Sequence, residues 1–214
     1  VLLPIAARAS IFPAPDLAEQ AIEAMGGRKL LSRVRMLKWD GRATIYTGMR
    51  DNPVEIAVET RVIPFSQAIS RSWLPLHGSW TARTMTVEPS GGFVEQAGKR
   101  TPLPAAQALH ELQQFGIYGY LLLVGARLRA EGSDVIARRE GFPDIRFTLG
   151  ADGRPATGTY QVVSPDGGPP IEENLIFEGR VRSSTGIAWP ARIQVLQKAF
   201  DFDLRIDAFD VELA

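Results

Sequence analysis

The segment Phe200-Asp201-Phe202-Asp203-Leu204-Arg205-Ile206-Asp207 alternates apolar and charged residues without a break. Phe200, Phe202, Leu204 and Ile206 therefore share one face of an extended chain, and Asp201, Asp203, Arg205 and Asp207 the other. A period of two predicts an antiparallel strand with one apolar and one wet side. Such a strand needs neighbours of the same kind and a cover for the shared apolar face.

The neighbours are present. Leu37, Trp39, Ala43 and Ile45 lie opposite Lys38, Asp40, Arg42 and Thr44, and after the turn Asp51-Asn52-Pro53 the residues Val54, Ile56, Val58 and Val62 alternate with Glu55, Glu59 and Arg61. Residues 66–73 read as a third strand, and 81–88 and 93–96 as a hairpin across Pro89-Ser90-Gly91-Gly92. Further strands are expected at Ile145, Phe147 and Leu149, at 157–163, at 171–182 and from Trp189-Pro190 through Gln197. Asp152-Gly153-Arg154-Pro155 and Ser164-Pro165-Asp166-Gly167-Gly168 are turns. Connections this short require antiparallel neighbours, because parallel crossovers need a dozen or more residues.

Two helical passages interrupt the strands. Asp16-Leu17-Ala18-Glu19 is a capping box, followed by Leu17, Ala18, Ala21, Ile22 and Met25 on one face and by Gly26 as the stop. In the middle, Pro102 and Pro104 suit a first helical turn, and Ala105, Ala108, Leu109, Leu112 and Phe115 follow at helical spacing. The run from Gly116 to Gly125 is apolar nearly all round but far short of the ~20 residues of a membrane span, and Arg127 and Arg129 close it off. Residues 104–126 are thus expected to be mainly helical and pressed against the apolar sheet face. The fold class is α+β: one continuous antiparallel sheet from 36–96 and 144–212, with Phe202, Leu204 and Ile206 facing the helices and Asp203 and Arg205 facing water.

Composition narrows the functions. Formal charge is zero over 214 residues, so no field favours nucleic acid or an anionic membrane surface. Without Cys there is no disulfide, thiolate metal site, Cys nucleophile or lipidated N-terminal Cys. The opening Val1-Leu2-Leu3-Pro4-Ile5-Ala6-Ala7-Arg8-Ala9-Ser10 fits the tail of a secretory signal with Ala7-Arg8-Ala9 as its cleavage site, or else an N-terminal arm. No Pro-, Gly- or Ser-rich linker divides the rest, so residues 11–214 are expected to form a single domain after a signal remnant at 1–10.

No catalytic constellation emerges. His77 reads as a turn residue and His110 as a partly exposed helical one, since His110-Glu111-Leu112-Gln113-Gln114 lacks the second His of a zinc helix. The chain has no G-x-S-x-G, no P-loop and no dinucleotide fingerprint. Asp201, Asp203, Asp207 and Asp210 on one extended strand cannot converge on calcium, which needs a loop. The expectation is no enzyme, no cofactor and no metal. Aromatics are the remaining class: Trp39, Phe147, Phe177 and Phe202 on apolar strand faces, and Phe115, Tyr118 and Tyr120 on the covering helix. They can pack a core or line an apolar cavity, and periodicity does not separate the two.

Three passages carry a resemblance to the LolA-like superfamily of periplasmic lipoprotein carriers and its uncharacterised branches: Ala21-Ile22-Glu23-Ala24-Met25-Gly26-Gly27 with Leu30-Leu31, the hairpin through Gly91-Gly92-Phe93 before a proline-led helix, and Gly186-Ile187-Ala188-Trp189-Pro190 ahead of the closing strands. Their order and spacing, from about Asp16 to Leu213, is similar to that superfamily; its opening motif looks like the broader uncharacterised branch. The resemblance implies a half-open barrel whose concave face is covered by helices and takes up acyl chains. It implies a soluble periplasmic protein of the bacterial envelope that binds a lipid or lipoprotein acyl chain, with Trp39, Phe115, Tyr118, Phe147, Phe177 and Phe202 lining the cavity and an envelope protein as a possible partner. The rivals are an envelope interaction module with a filled barrel and, less favoured by the residues, a hydrolase.

Overall fold

The final strand predicted from its alternation is the centre of a thirteen-stranded sheet. A computed structural model describes residues 16–47, 52–198 and 200–214; the expected signal remnant at 1–10 lies outside the described residues. The first half contains α1 (Leu17–Met25), α2 (Arg28–Leu31), β1 (Val34–Thr47), β2 (Val54–Ile63), β3 (Gln67–Trp73), β4 (Arg83–Glu88), β5 (Gly91–Gln96) and β6 (Lys99–Pro102). Helix α3 (Ala105–Leu121) follows. The second half contains β7 (Arg127–Glu131), β8 (Asp134–Arg138), β9 (Ile145–Leu149), β10 (Pro155–Val162), β11 (Ile171–Glu178), β12 (Val181–Arg182), β13 (Ala188–Trp189), β14 (Arg192–Leu196) and β15 (Phe200–Leu213).

The strand order is β6-β5-β4-β3-β2-β1-β15-β14-β11-β10-β9-β8-β7, antiparallel throughout, with β12 and β13 as a separate pair. The two halves of the chain thus join through β1 and β15 into one curved, open sheet: the continuous antiparallel sheet that the alternation predicts, with the half-open α+β form that the resemblance implies. A bulge interrupts that central seam: Ile206 lies opposite Gly41 but Ala208 opposite Asp40, leaving Asp207 as the extra residue. The bulge changes which residues of β15 are buried, from Leu204 and Ile206 before it to Phe209 and Val211 after it. It also presses the backbones together, for a Cβ on Gly41 would sit 2.1 Å from the Arg205 carbonyl oxygen. Only glycine fits there.

Several local readings change in the structure. Pro102 ends strand β6 and Pro104 is the N-cap of α3, so neither occupies the first helical turn. The helix stops at Leu121, short of the expected 126, just before Leu123 adopts a left-handed φ of 55°, and 127–131, outside the expected strands, is β7. Residues 171–182 split into β11 and β12 at Gly179, whose φ is 67°; Ala188–Trp189 pairs with β12 instead of leading the main-sheet strand. The capping carboxylate of Asp16 accepts from the Ala18 amide at 3.3 Å, while Glu19 pairs with Arg28. Asp203, expected in water, is only 7 % exposed: the Arg192 guanidinium grips it with two hydrogen bonds of 2.8 and 2.7 Å. The aliphatic stem of an arginine covers apolar surface while its fork satisfies a carboxylate, so a charged strand position can be shielded without facing the core.

Helix α3 is seated by shape and by hydrogen bonds. Its two interior glycines let rings approach closely; a Cβ on Gly116 would meet Phe142 at 2.7 Å and one on Gly119 would meet Phe65 at 2.8 Å. Phe65 packs edge-on against both Tyr120 and Phe142, with ring centroids 4.9 and 5.2 Å apart. The Tyr120 hydroxyl donates to the Pro143 carbonyl at 3.0 Å. Farther along, the Gln113 side-chain oxygen accepts from the Val163 amide at 2.9 Å, and His110 Nδ1 lies 2.7 Å from the Val163 carbonyl. His110 is buried by this clamp, not partly exposed as its sequence context suggested.

Candidate ligand-binding site

Between α3 and the first half of the sheet lies a cavity of about 480 Å³. That size falls within the roughly 300–1,000 Å³ range typical of small-molecule sites. Its apolar wall comes from β1 and β2 (Trp39, Ile45, Ile56, Val58) and from β15 (Phe202, Leu204). These are inward positions of the alternation, so the same pattern that builds the sheet supplies the wall. Helix α3 contributes Phe115, Ile117 and Tyr118. The Trp39 and Tyr118 rings are 4.4 Å apart, and Phe115 and Tyr118 are 6.0 Å apart.

Four of the six aromatics singled out in the sequence therefore surround one space: Trp39, Phe115, Tyr118 and Phe202. Phe147 and Phe177 do not reach it. They lie on β9 and β11, both buried, with ring centroids 6.1 Å apart, in the half of the groove that side chains fill. Gly158 of β10 lies close to Phe147, and helix α1 packs on β7, β8 and β13. At that end Trp189 stacks on Phe209 with centroids 4.8 Å apart and planes 7° from parallel. The concave face is thus solid at one end and hollow at the other.

The hollow end has a polar seam that the sequence reading missed. Gln107, His110, Glu111 and Gln114 all border the cavity. Their spacing of i, i+3, i+4 and i+7 puts them on one side of α3. A helix that only filled an apolar groove would present apolar residues there, so this stripe was a readable signal. The opposite wall adds Thr60, Ser70, Ser72 and Arg83. Behind the seam lies Glu173, an inward residue of β11 with 0 % exposure. Its carboxylate accepts from the Tyr160 hydroxyl, from Gln114 Nε2 at 2.6 Å and from Gln197 Nε2. Gln114 and Gln197 also line the cavity, so the buried carboxylate fixes two amides of its wall. The phenols of Tyr118 and Tyr160 are pushed above the ordinary tyrosine range, first by burial and then by the nearby Glu173, and both stay neutral donors.

Glu111 differs from its neighbours. Burial pushes its carboxyl pKa up, against a smaller lowering by His110 and Arg83. A carboxyl whose folded pKa exceeds its unfolded value contributes stability that is present below the unfolded pKa and is lost as pH rises through the folded value. The difference in stability between wild type and Glu111→Gln should accordingly move against wild type as pH rises through and beyond the ordinary glutamate range, about pH 4. Chemical unfolding of both proteins across that range checks this, and a pH-independent difference would refute it.

No family model and no curated protein matches this sequence. Solved structures do match the fold. An outer-membrane lipoprotein-sorting domain (so assigned, without proof of activity) from Vibrio parahaemolyticus aligns at TM-score 0.53 and 9% identity, covering 91% of this chain and 93% of its own. A LolA superfamily protein from Nitrosomonas europaea aligns at TM-score 0.53 and 12% identity, over 92% and 93% of the two chains. A DUF1329 family protein from Desulfovibrio piger gives TM-score 0.56 and 8% identity over 92% of each. The chain is similar in fold to the LolA superfamily at an identity too low to carry residue roles across.

Proposed function

We propose that this protein binds an apolar or acyl-chain ligand non-covalently in the cavity under α3, without catalysis, as an exported protein of the bacterial periplasm. The observation that carries the reading is the unfilled space itself: a groove closed by packed side chains at one end and left open between Trp39, Ile56, Phe202 and α3 at the other. Burying a chain there gains roughly 0.8 kcal/mol per CH₂ group, so one acyl chain suffices for useful affinity. The likeness in fold to a lipoprotein-sorting domain supports the ligand class, and among the described residues no helix is long and apolar enough to cross a membrane. Export rests on Ala7-Arg8-Ala9, and expression behind a complete signal tests it by whether mature protein begins near Ser10 in the periplasmic fraction.

Ligand binding is tested with an apolar fluorescent probe. Saturable binding, displaced by a fatty-chain compound, is expected in wild type. Ile56→Trp places a larger side chain at the cavity wall and should weaken the probe at least about tenfold, a loss of about 1.4 kcal/mol. Leu76→Ser, at a site 98 % exposed and outside the cavity, serves as control and should leave probe binding as it is. Absence of probe binding in folded wild type would favour the filled-barrel interaction module instead.

A further inference from the structure

The charged residues of the cavity point to the kind of head its ligand carries. Among the described residues Arg83 is the one cationic side chain lining the cavity and Glu111 the one carboxylate, with the His110 imidazole as the remaining titratable group next to Glu111 in sequence. The buried carboxylate behind them, Glu173, is already committed to Tyr160, Gln114 and Gln197. Arg83, exposed at the start of β4, and Glu111 make no hydrogen bond or close ion pair among the described residues, although Arg83 and His110 lie near enough for their charges to favour the Glu111 carboxylate. They come from opposite walls, β4 and α3. His110 Nδ1 is engaged by the Val163 carbonyl, which leaves its Nε2 uncommitted among the described residues.

We infer that the cavity takes a zwitterionic amphiphile, its chain against Trp39, Ile56, Phe202 and Leu204, its anionic group at Arg83 and its cationic group at Glu111. The inference rests on the ligand-binding reading above and specifies the head. A half-buried carboxylate without a hydrogen-bond donor is destabilised even with a cation nearby, and an ammonium or amide donor that reaches it lowers that penalty. The same carboxylate repels an anionic head, and Arg83 repels a cationic one. A head carrying both charges satisfies both walls. A simple fatty acid satisfies only Arg83 while opposing Glu111.

Four amphiphiles with the same dodecyl-length chain separate the cases by calorimetry, each below its micelle concentration: dodecylphosphoethanolamine, whose primary ammonium can donate to a carboxylate, dodecanoate, dodecylamine and monododecanoylglycerol. The zwitterion should bind the full chain about tenfold more tightly than the neutral glyceride, and each singly charged chain more weakly than the zwitterion. Glu111→Gln should bring the zwitterion down toward the glyceride and strengthen dodecanoate. Arg83→Gln should do the same to the zwitterion and strengthen dodecylamine. That crossed pattern is one a loss of packing would not produce. Equal binding of glyceride and zwitterion in wild type, or a preference that survives both substitutions, overturns the zwitterion while leaving chain binding intact. If none of the four binds, the ligand-binding reading itself fails.

Discussion

Gly41→Ala is expected to destabilise the protein by about 3 kcal/mol or more, the upper end of what overpacking costs. The added Cβ would lie 2.1 Å from the Arg205 carbonyl oxygen and 3.2 Å from the Ile206 Cα, and both are backbone atoms that no rotamer change can move aside. Relief requires β1 and β15 to separate at the bulge, where the two halves of the sheet are joined. Helix propensity, left-handed backbone and surface charge play no part at this position, so the effect isolates one close approach. Gly150→Ala is the matched control: its Cβ would meet the nearest atom at 3.4 Å, an ordinary contact, and stability should change by less than about 1 kcal/mol. Urea unfolding of the two variants decides the matter. Comparable midpoints for Gly41→Ala and wild type would mean the seam is looser than its geometry implies.

The sheet was legible because alternation is a local property. Each strand's inward and outward residues follow from a period of two, and short connections then fix antiparallel neighbours. What alternation does not record is a change of frame. Phe200 through Ile206 keep the pattern, and the bulge at Asp207 hands burial to Phe209 and Val211. The hairpin of β7 and β8 escaped notice for a different reason. β7 lies at the sheet edge, where Arg127, Arg129, Ala130 and Glu131 are all exposed, and its five residues alternate too briefly to be told from a loop. A short edge strand with a charged row on one face and only Leu128 and Ala130 on the other is a protected edge whose apolar signal is too brief to stand out.

The site was legible in part, and the reason is geometric. Periodicity tells which face a side chain occupies but not how far along a curved groove it lies. Trp39, Phe147, Phe177 and Phe202 all read as apolar-face aromatics, yet the structure puts Trp39 and Phe202 beside the hollow end and Phe147 and Phe177 in the packed end. Hollow and solid stretches of one face share the same alternation, because the difference lies in whether another element's side chains fill the space. The polar seam and Glu173 were present in the sequence as exceptions: four polar residues on one side of α3, and a carboxylate at an inward position of β11. Exceptions to a burial pattern are where sequence carries functional information.

Glu173→Leu should cost about 2–4 kcal/mol of stability, and the cost should fall when Tyr160 is changed with it. Two effects oppose each other. Replacing a buried carboxylate by an apolar side chain removes a desolvation penalty, and such replacements can be neutral when every partner leaves together. Here the partners remain. Tyr160 is buried with its hydroxyl aimed at Glu173, and burial already holds that phenol neutral and in need of an acceptor. Gln114 and Gln197 border the cavity, so water can reach their amides once the carboxylate has gone. The stranded hydroxyl of Tyr160 therefore dominates, and the net effect is destabilising. Removing it too, in Glu173→Leu with Tyr160→Phe, should recover at least about 1 kcal/mol relative to the sum of the single changes. Glu173→Gln keeps the shape and one acceptor, with an amide that can donate to the phenol oxygen, and should lose no more than about 1.5 kcal/mol. Strict additivity across the double-mutant cycle would show that Tyr160 and Glu173 do not depend on each other. The same variants bear on binding, because Glu173 holds Gln114 and Gln197 in the cavity wall. Glu173→Leu should loosen both amides and weaken the neutral glyceride and the zwitterion by similar factors, in contrast to the head-selective changes expected at Arg83 and Glu111.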